Sequence, residues 1–167
     1  MVVVVADSGP IISLARINQL SLLQDVFTHI TVSGGVFNEL VVRGKGKTGA
    51  TEIAHAHKTG WLVVESIPDS AAIPELATFG ISRADAESII LAERKKADFL
   101  LLDEKLEREA ARAVLTKTRL LGLGGFLVYA KTAGHIPEVA SMLARLRAEN
   151  VWIGESVRRE ILEAAGE

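Results

Sequence analysis

The first ten residues place the strongest constraint on how this chain can fold. Residues 2–6 are apolar without interruption and mostly β-branched, which predicts a strand buried on both faces, as in a parallel sheet covered by helices. Gly9 and Pro10 then break the strand and favour a helix that begins near Ile11. Asp7 stands where the strand ends, and ligands of open α/β sheets bind at the carboxyl ends of strands. Asp7 is therefore either a site residue or a turn and helix-capping residue.

Strand-like and helix-like apolar patterns alternate along the rest of the chain. Strands separated by helices predict a parallel sheet of about four to five strands in an α/β sandwich. We expect one domain over residues 1–167, with an α/β core to about residue 135 and a C-terminal helical appendage over 136–167. The predicted strands cover about residues 2–6, 29–32, 61–65, 98–102 and 117–121, and the predicted helices about 11–26 (one bent or two short), 36–42, 50–57, 82–96, 104–114, 126–133, 137–148 and 155–164.

Composition narrows the classes of function. Apolar residues make up 49% of the 167 residues, as in globular proteins, and the absence of cysteine excludes disulfides, zinc–thiolate sites and thiol catalysis. A chain without cysteine also fits a cytoplasmic location. The apolar N-terminal run is too short for a signal peptide, and no later segment has the length of a membrane span. The formal net charge is −2, so we expect a nucleic acid to bind through a local basic patch or a bound cation.

Two glycine-rich segments match nucleotide-binding motifs only in part. Residues 46–48 end like a P-loop, but Val41 stands at the leading glycine position, and the segment follows a helix. Residues 122–125 begin like a dinucleotide fingerprint, but Leu127 stands where its closing glycine belongs. We expect a flexible basic loop in the first case and close backbone packing in the second. The four histidines are too dispersed to indicate a zinc site.

Four carboxylates have positions that suit a shared acidic site. Asp7 and Asp103 each follow an apolar strand, and the carboxyl ends of parallel strands lie at one edge of the sheet. Glu39 follows the second strand, and Asp85 lies in the first turn of the helix before Asp103. Clustered carboxylates repel unless a cation neutralises them, and Mg²⁺ and Mn²⁺ prefer such oxygen ligands. Structural alternatives exist: Asp85 can form a capping box with Ser82, and Glu39 can be a solvated helix residue.

These acids stand in an ordered set of short motifs. The set resembles the PIN-domain superfamily and, within it, the VapC-toxin-like branch of short prokaryotic proteins. The resemblance extends to about Ala148, and the interval from Asp85 to Asp103 is the family's usual spacing between its last two main acids. The motifs are Val-Ala-Asp7-Ser-Gly-Pro, Val36-Phe-Asn-Glu39-Leu, Ala84-Asp85-Ala86-Glu87-Ser-Ile and Leu-Leu-Leu-Asp103.

The resemblance implies a PIN-like α/β/α sandwich and a Mg²⁺- or Mn²⁺-dependent ribonuclease. Asp7 and Asp103 would be its principal metal ligands, and Ser8 would help to orient Asp7. Members of this branch are often the toxins of toxin–antitoxin pairs, which implies an RNA substrate, an antitoxin protein as partner and self-association as a homodimer. The acidic site that the resemblance implies consists of Asp7, Glu39, Asp85 and Asp103.

The sequence departs from the family pattern near its middle acids. Residues 33–35 replace a more usual proline-containing approach to Glu39, and Arg83 occupies a position often held by glycine. In the third motif, Asp85 is favoured over Glu87 as the metal ligand because the dipole at the start of its helix keeps a carboxylate ionised. Additional acids that could surround the ligands are Glu87, Glu104 and Glu107.

Three basic residues follow Asp103 at helical spacing. Lys105, Arg108 and Arg112 fall at i, i+3 and i+7 of one helix and would meet RNA phosphates at the rim of the site. The alternative is an ordinary solvated face, because Glu104, Glu107 and Glu109 lie among them.

Two functions from other classes remain open at this point. The chain could be a catalytically weak or inactive PIN-like interaction module, or a metal-dependent phosphatase, although no Asp-x-Asp motif follows the first strand. A set of C-terminal apolar residues either forms a surface for a protein partner or packs on the domain: Leu143, Leu146, Val151, Trp152 and Ile161.

Overall fold

Five short parallel strands form the centre of the structure, a computed structural model that describes all 167 residues. The strands are β1 (Val4–Ala6), β2 (Ile30–Ser33), β3 (Leu62–Glu65), β4 (Phe99–Leu101) and β5 (Arg119–Leu121). Their order is β3-β2-β1-β4-β5, so the N-terminal strand is the middle strand of the sheet. The direction of the winding reverses between β1 and β4, whose carboxyl ends therefore border the crevice where open α/β sheets bind ligands.

Ten α-helices and one π-helical turn connect and cover the strands. Two of the helices, α1 and α2, occupy the region where the sequence allows one bent helix or two short ones. The helices are α1 (Ser8–Arg16), α2 (Ser21–Phe27), α3 (Gly34–Phe37), α4 (Ala50–Lys58), α5 (Ala72–Ala77), α6 (Arg83–Lys95), α7 (Lys105–Val114), α8 (Leu123–Thr132), α9 (Val139–Ala148) and α10 (Glu155–Ala164), and the π-helical turn is Asn38–Val42.

Both faces of the sheet are buried beneath helices. Val4 and Ala6 of β1 belong to the larger core, to which α1, α2, α8 and α9 contribute, whereas Val5 belongs to the core formed with α5, α6 and α7. This division follows the two-residue period of a strand, in which successive side chains point to opposite faces. The predicted α/β/α sandwich with a central parallel sheet is confirmed, and the apolar strand β1 is covered on both sides.

Some element boundaries differ from the sequence prediction. Helix α1 begins at Ser8 instead of near Ile11, since Pro10 lies in its first turn, where backbone donors have no partner within the helix. The predicted helix over 36–42 is the short α3 followed by the π-helical turn. The sequence does not predict α5, a six-residue helix that contains Pro74 and is held by the burial of its apolar side chains rather than by its own length.

The C-terminal helices pack on the α/β core. Leu143 and Leu146 are buried in the larger core, so the packing alternative holds for them and the expected apolar partner surface is wrong there. Ile161 of α10 lies against Gly124 of α8, where a Cβ atom would collide with it, which confirms the close packing predicted for residues 122–125. Trp152, by contrast, remains 78% exposed. None of the helices combines the length and the apolarity that crossing a membrane requires.

Candidate functional site

Asp7 is held at the end of the central strand by contacts with two other elements. Its N–H donates to the carbonyl of Leu101 (2.9 Å), which ties it to β4. Although Asp7 occupies the N-cap position of α1, its side chain caps nothing. Oδ1 instead accepts a hydrogen bond from Ser88 Oγ of α6 (2.9 Å). The capping alternative is therefore wrong for this side chain, which points into the crevice between strand ends and helices.

Burial makes the Asp7 carboxylate costly to ionise. The residue is 3% exposed, and loss of hydration raises its pKa to about 7, even though the Ser88 hydroxyl stabilises the charged form. The nearby Asp85 and Glu39 raise the pKa further because they add like charge. A bound cation would reverse this balance, since positive charge favours the ionised carboxylate.

Asp85 is fixed by the predicted capping box at the start of α6. Its Oδ2 accepts from the Ser82 N–H (2.7 Å), while its own N–H donates to Ser82 Oγ (3.2 Å). Both interpretations of Asp85 are therefore compatible in this structure, because the cap orients the same carboxylate that faces Asp7. The dipole of α6 adds a positive potential at this position.

Glu107 completes the group from helix α7. It is buried, and its pKa is raised to about 8 by loss of hydration and by repulsion from Asp7 and Asp85. One carboxylate oxygen of each of these three residues lies within 4.8 Å of those of the other two. Three clustered oxygen donors are a ligand set that suits Mg²⁺ or Mn²⁺. The residues present thus fit a divalent cation, and the ones that would hold it are Asp7, Asp85 and Glu107.

Asp103 borders this acidic cluster without belonging to it. Its Oδ1 accepts from the N–H of Leu123 at the start of α8 (2.7 Å), and its carbonyl accepts from Arg108 Nη2 (3.2 Å). Burial raises the pKa of Asp103, while the Leu123 N–H and Arg108 oppose that shift. A Cβ placed on Gly9 would lie 3.7 Å from Oδ2, so the carboxylate faces the first turn of α1, just beyond Asp7.

Glu39 approaches the cluster from the π-helical turn. Partial burial raises its pKa, Arg43 (Nη2–Oε1 3.5 Å) lowers it, and the negative charges of Asp85 and Glu87 raise it again. It lies outside the set of three converging carboxylates. Glu39 is thus neither fully solvated nor in contact with the cluster.

Glu87 is directed away from the cluster although it lies only two residues after Asp85. Its Oε2 accepts from the Gly35 N–H (3.0 Å), and its Oε1 accepts from Arg83 Nε (3.1 Å). A Cβ on residue 35 would lie 2.5 Å from Oε2, so this contact requires glycine. The two departures from the family pattern therefore meet at Glu87. Its carboxylate is compensated by the Gly35 N–H, from the segment 33–35, and by the Arg83 guanidinium.

The comparison with protein families agrees with this arrangement. The chain matches the PIN-domain family DUF3368 over residues 3–167. It belongs to the PIN-domain family. PIN domains are a nuclease-type superfamily, and their activity generally depends on a divalent metal. No curated protein and no solved structure shows a significant match to the chain.

The remaining predicted residues of this PIN domain lie around the cluster. Ser8 is half-buried, and after the Ser88 hydroxyl its backbone N–H is the second group that lowers the pKa of Asp7 and favours the ionised carboxylate. Glu104 is exposed at the N-cap of α7, and Lys105 pairs loosely with Glu109 (3.9 Å). Arg112 is exposed as well, so of the three basic residues only Arg108 contacts the site, through the carbonyl of Asp103.

Ser88 is the residue that sequence reasoning missed. It lies three positions after Asp85, which places both side chains on one face of α6. That spacing is a signal in the sequence, but serine is common in helices, and only the contact with Asp7 separates its role from burial in the core. Glu107, one of the additional acids named from the sequence, has no such signal, because Asp103 lies before the start of α7.

Proposed function

We propose that this PIN domain is a Mg²⁺- or Mn²⁺-dependent endoribonuclease that hydrolyses phosphodiester bonds of RNA. The observation that carries the proposal is the convergence of Asp7, Asp85 and Glu107, none of which forms a salt bridge with a basic side chain. Buried like charges without a counter-charge must either remain protonated or share a cation. A divalent cation satisfies all three carboxylates together.

The proposed acidic site consists of Asp7, Glu39, Asp85 and Asp103, with Glu107 added to it. When bound, Mg²⁺ or Mn²⁺ supplies positive charge for the attacked phosphate and lowers the pKa of a water. The chain orients the acids: the Ser88 hydroxyl holds Asp7, the capping box holds Asp85, and the start of α8 holds Asp103. Glu107, which faces Asp7 and Asp85, would be the third carboxylate that holds the cation.

RNA phosphates would be held at the rim by Lys105, Arg108 and Arg112. Arg108 has the strongest support, because it lies beside both Asp103 and Gly122, with its Nη2 within 2.8 Å of the position that a Cβ on Gly122 would take. Lys105 and Arg112 are exposed and free to move toward a polyanion.

The biological setting we propose is a toxin–antitoxin pair in the cytoplasm. Its support is the resemblance to the VapC-toxin-like branch, which also suggests an antitoxin protein and a homodimer. Induced expression should then arrest growth, whereas expression of Asp103→Asn should not. A light-scattering mass that matches the monomer, together with normal growth on induction, would contradict this setting.

Cleavage assays test the proposed chemistry. Labelled single-stranded and structured RNAs and a small aryl phosphomonoester are incubated with the protein and Mn²⁺, Mg²⁺ or excess chelator. We expect internal cleavage of RNA with either metal, none with chelator, and a loss of at least about a hundredfold in Asp103→Asn, because several kcal/mol of transition-state stabilisation disappear. Circular dichroism serves as the control that the variant is folded.

Each alternative has its own outcome in the same assay. Hydrolysis of the phosphomonoester without cleavage of RNA would identify a phosphatase. Stabilisation by Mn²⁺ in thermal unfolding without any hydrolysis would identify an interaction module. Undiminished RNA cleavage in excess chelator would contradict the metal-dependent mechanism itself.

A further inference from the structure

A cleft of about 600 Å³ leads away from the acidic site along the C-terminal helices. Its lining includes Asp103, Glu104 and Arg108, the glycine-rich start of α8, and Trp152 and Val157 of the C-terminal segment. We call it the Trp152 cleft. Glycines 122, 124 and 125 form part of its lining, and the side chains of Arg108, Ile161 and Leu121 lie close against them.

Trp152 is the most unusual residue of this cleft. It is 78% exposed, whereas the other tryptophan, Trp61, is buried. The guanidinium of Arg147 lies 5.8 Å from the centre of the Trp152 ring. A single guanidinium covers one face of an indole, which leaves the other face available to a flat partner. Arg147, which forms no salt bridge, also lines a small hollow that Trp152 borders, whereas Arg158 in that hollow pairs with Glu155 (3.7 Å).

A protein partner is the competing occupant, and its surface here is small. The exposed apolar residues of this cleft are Trp152 and Val157. A stable protein interface buries roughly 1,000 Å² or more, which two side chains do not supply. Two arginines that form no salt bridge, Arg108 in the cleft and Arg147 beside Trp152, and one exposed aromatic ring instead match a single nucleic-acid strand, whose phosphates need positive charge and whose bases stack on aromatic rings. The direct connection of the cleft to Asp103 points to the same ligand.

We infer that the Trp152 cleft binds a single-stranded segment of RNA adjoining the cleavage point, with one base stacked on Trp152 and phosphates near Arg108 and Arg147. This inference rests on the proposed function, since it extends the same site to its substrate. It makes Trp152 a binding residue at a distance from the acids. Double-stranded RNA does not fit, because its bases are already stacked on one another.

The test measures binding without cleavage. In the Trp61→Phe background, Trp152 is the only tryptophan, and its fluorescence is followed while uridine or adenosine hexanucleotides are added in the presence of chelator. We expect the single strands to quench the emission and double-stranded RNA to leave it unchanged. Anisotropy of labelled hexanucleotides should show about ten- to a hundredfold weaker binding for Trp152→Ala, the range for loss of one stacked base. Trp152→Phe should retain most of the affinity.

Val157→Ala is the matched control, because it removes apolar surface from the same cleft without removing an aromatic face. Equal weakening by Val157→Ala and Trp152→Ala, or unchanged binding in Trp152→Ala, would overturn the inference. Unchanged RNA binding in a Trp152→Ala variant that loses self-association would also overturn it and mark a protein interface. If Trp152→Ala cleaves RNA and binds it normally, the role of the cleft is refuted and the proposed nuclease activity is not. If RNA binds at Trp152 but no metal supports cleavage, the nuclease activity is refuted and the cleft remains an RNA-binding surface.

Discussion

Glu87 and Glu107 are both 7% exposed, yet their carboxylates have opposite surroundings. Glu87 accepts from the Gly35 N–H and from Arg83, so its charge is compensated within the protein. Glu107 faces Asp7 and Asp85 and forms no salt bridge, and burial together with these like charges raises its pKa to about 8. The two glutamates therefore have similar burial and very different electrostatic environments.

The difference separates a structural acid from one available to a ligand. A buried carboxylate with donors on both oxygens stabilises the fold and has little capacity to bind a cation. A buried carboxylate that faces other carboxylates destabilises the metal-free fold and gains when a cation arrives. In this PIN domain, the contacts of Glu87 with Gly35 and Arg83 connect α6 to the segment after β2. The acidic cluster connects α6 to β1 and α7.

The largest expected effect comes from removing the charge of Asp85, and the comparison is the same change at Glu87 in the same helix. Asp85→Asn keeps the capping oxygen and the shape but removes a charge from the cluster, so we expect at least about a hundredfold loss of RNA cleavage, together with weaker binding of Mn²⁺. The Glu87→Gln variant should retain most of the cleavage rate and most of the Mn²⁺ affinity, because the side chain of residue 87 does not face the cluster. Isothermal titration with Mn²⁺ and cleavage rates measure the two quantities, and the reverse order of effects would place the metal beside Glu87.

Stability of the metal-free protein should change in opposite directions at the two glutamates. Glu87→Gln places an amide NH₂ against donors from Gly35 or Arg83, which should cost about 1–3 kcal/mol. Glu107→Gln removes a buried charge repelled by its neighbours and should stabilise the metal-free protein at pH 8 by about 1–2 kcal/mol. Urea unfolding in chelator measures both values. Destabilisation by both variants would mean that Glu107 is compensated in the same way as Glu87.

The next effect is on the pH dependence of stability, to which the acidic cluster should contribute. The pKa values of Asp7 and Glu107 are raised to about 7 and about 8, so near neutral pH the folded state binds more protons than the unfolded state. Their stabilising contribution is complete below the ordinary carboxylate pKa and is lost as pH rises through 7 and 8. The melting temperature in chelator should therefore fall across this window.

The control for this pH effect is the double variant Asp7→Asn with Glu107→Gln. The two proteins differ only at these two positions, so the difference between their two curves isolates the acids. We expect the free energy of unfolding of the double variant to exceed that of the wild type by about 1–2 kcal/mol more at pH 8.5 than at pH 6. Parallel curves would contradict the raised pKa values.

The smallest expected effect concerns the hydroxyl that supports Asp7. Ser88→Ala removes a donor that favours the ionised carboxylate, so we expect a further rise in the pKa of Asp7 and about tenfold weaker binding of Mn²⁺. Thr132→Val is the matched control, since Thr132 makes a comparable bond to a helix carbonyl but no contact with an acid. Equal metal affinity in both variants would show that Ser88 only fills space.

Much of the fold and part of the site follow from local patterns in the sequence. The apolar run of β1 predicts its burial on both faces, and the Ser82–Asp85 spacing predicts the capping box that the structure contains. Helix α5 was missed because six residues with a proline give no periodic signal, and burial against another element holds it in place. Asp103 was expected beside Asp7, but the N–H of Leu123 directs its carboxylate to the edge of the cluster.

By itself, the sequence determined that a parallel sheet places acids at the carboxyl ends of its central strands, because strand and helix periods are local properties. Tertiary structure decided which of those acids face one another. A helical wheel leaves Asp85 and Glu87 equivalent with respect to the apolar face of α6. The Gly35 N–H, from a segment far away in the chain, draws Glu87 to one side, and the packing of α7 brings Glu107 to Asp7 on the other. Such contacts depend on how distant elements pack, and no local pattern encodes them.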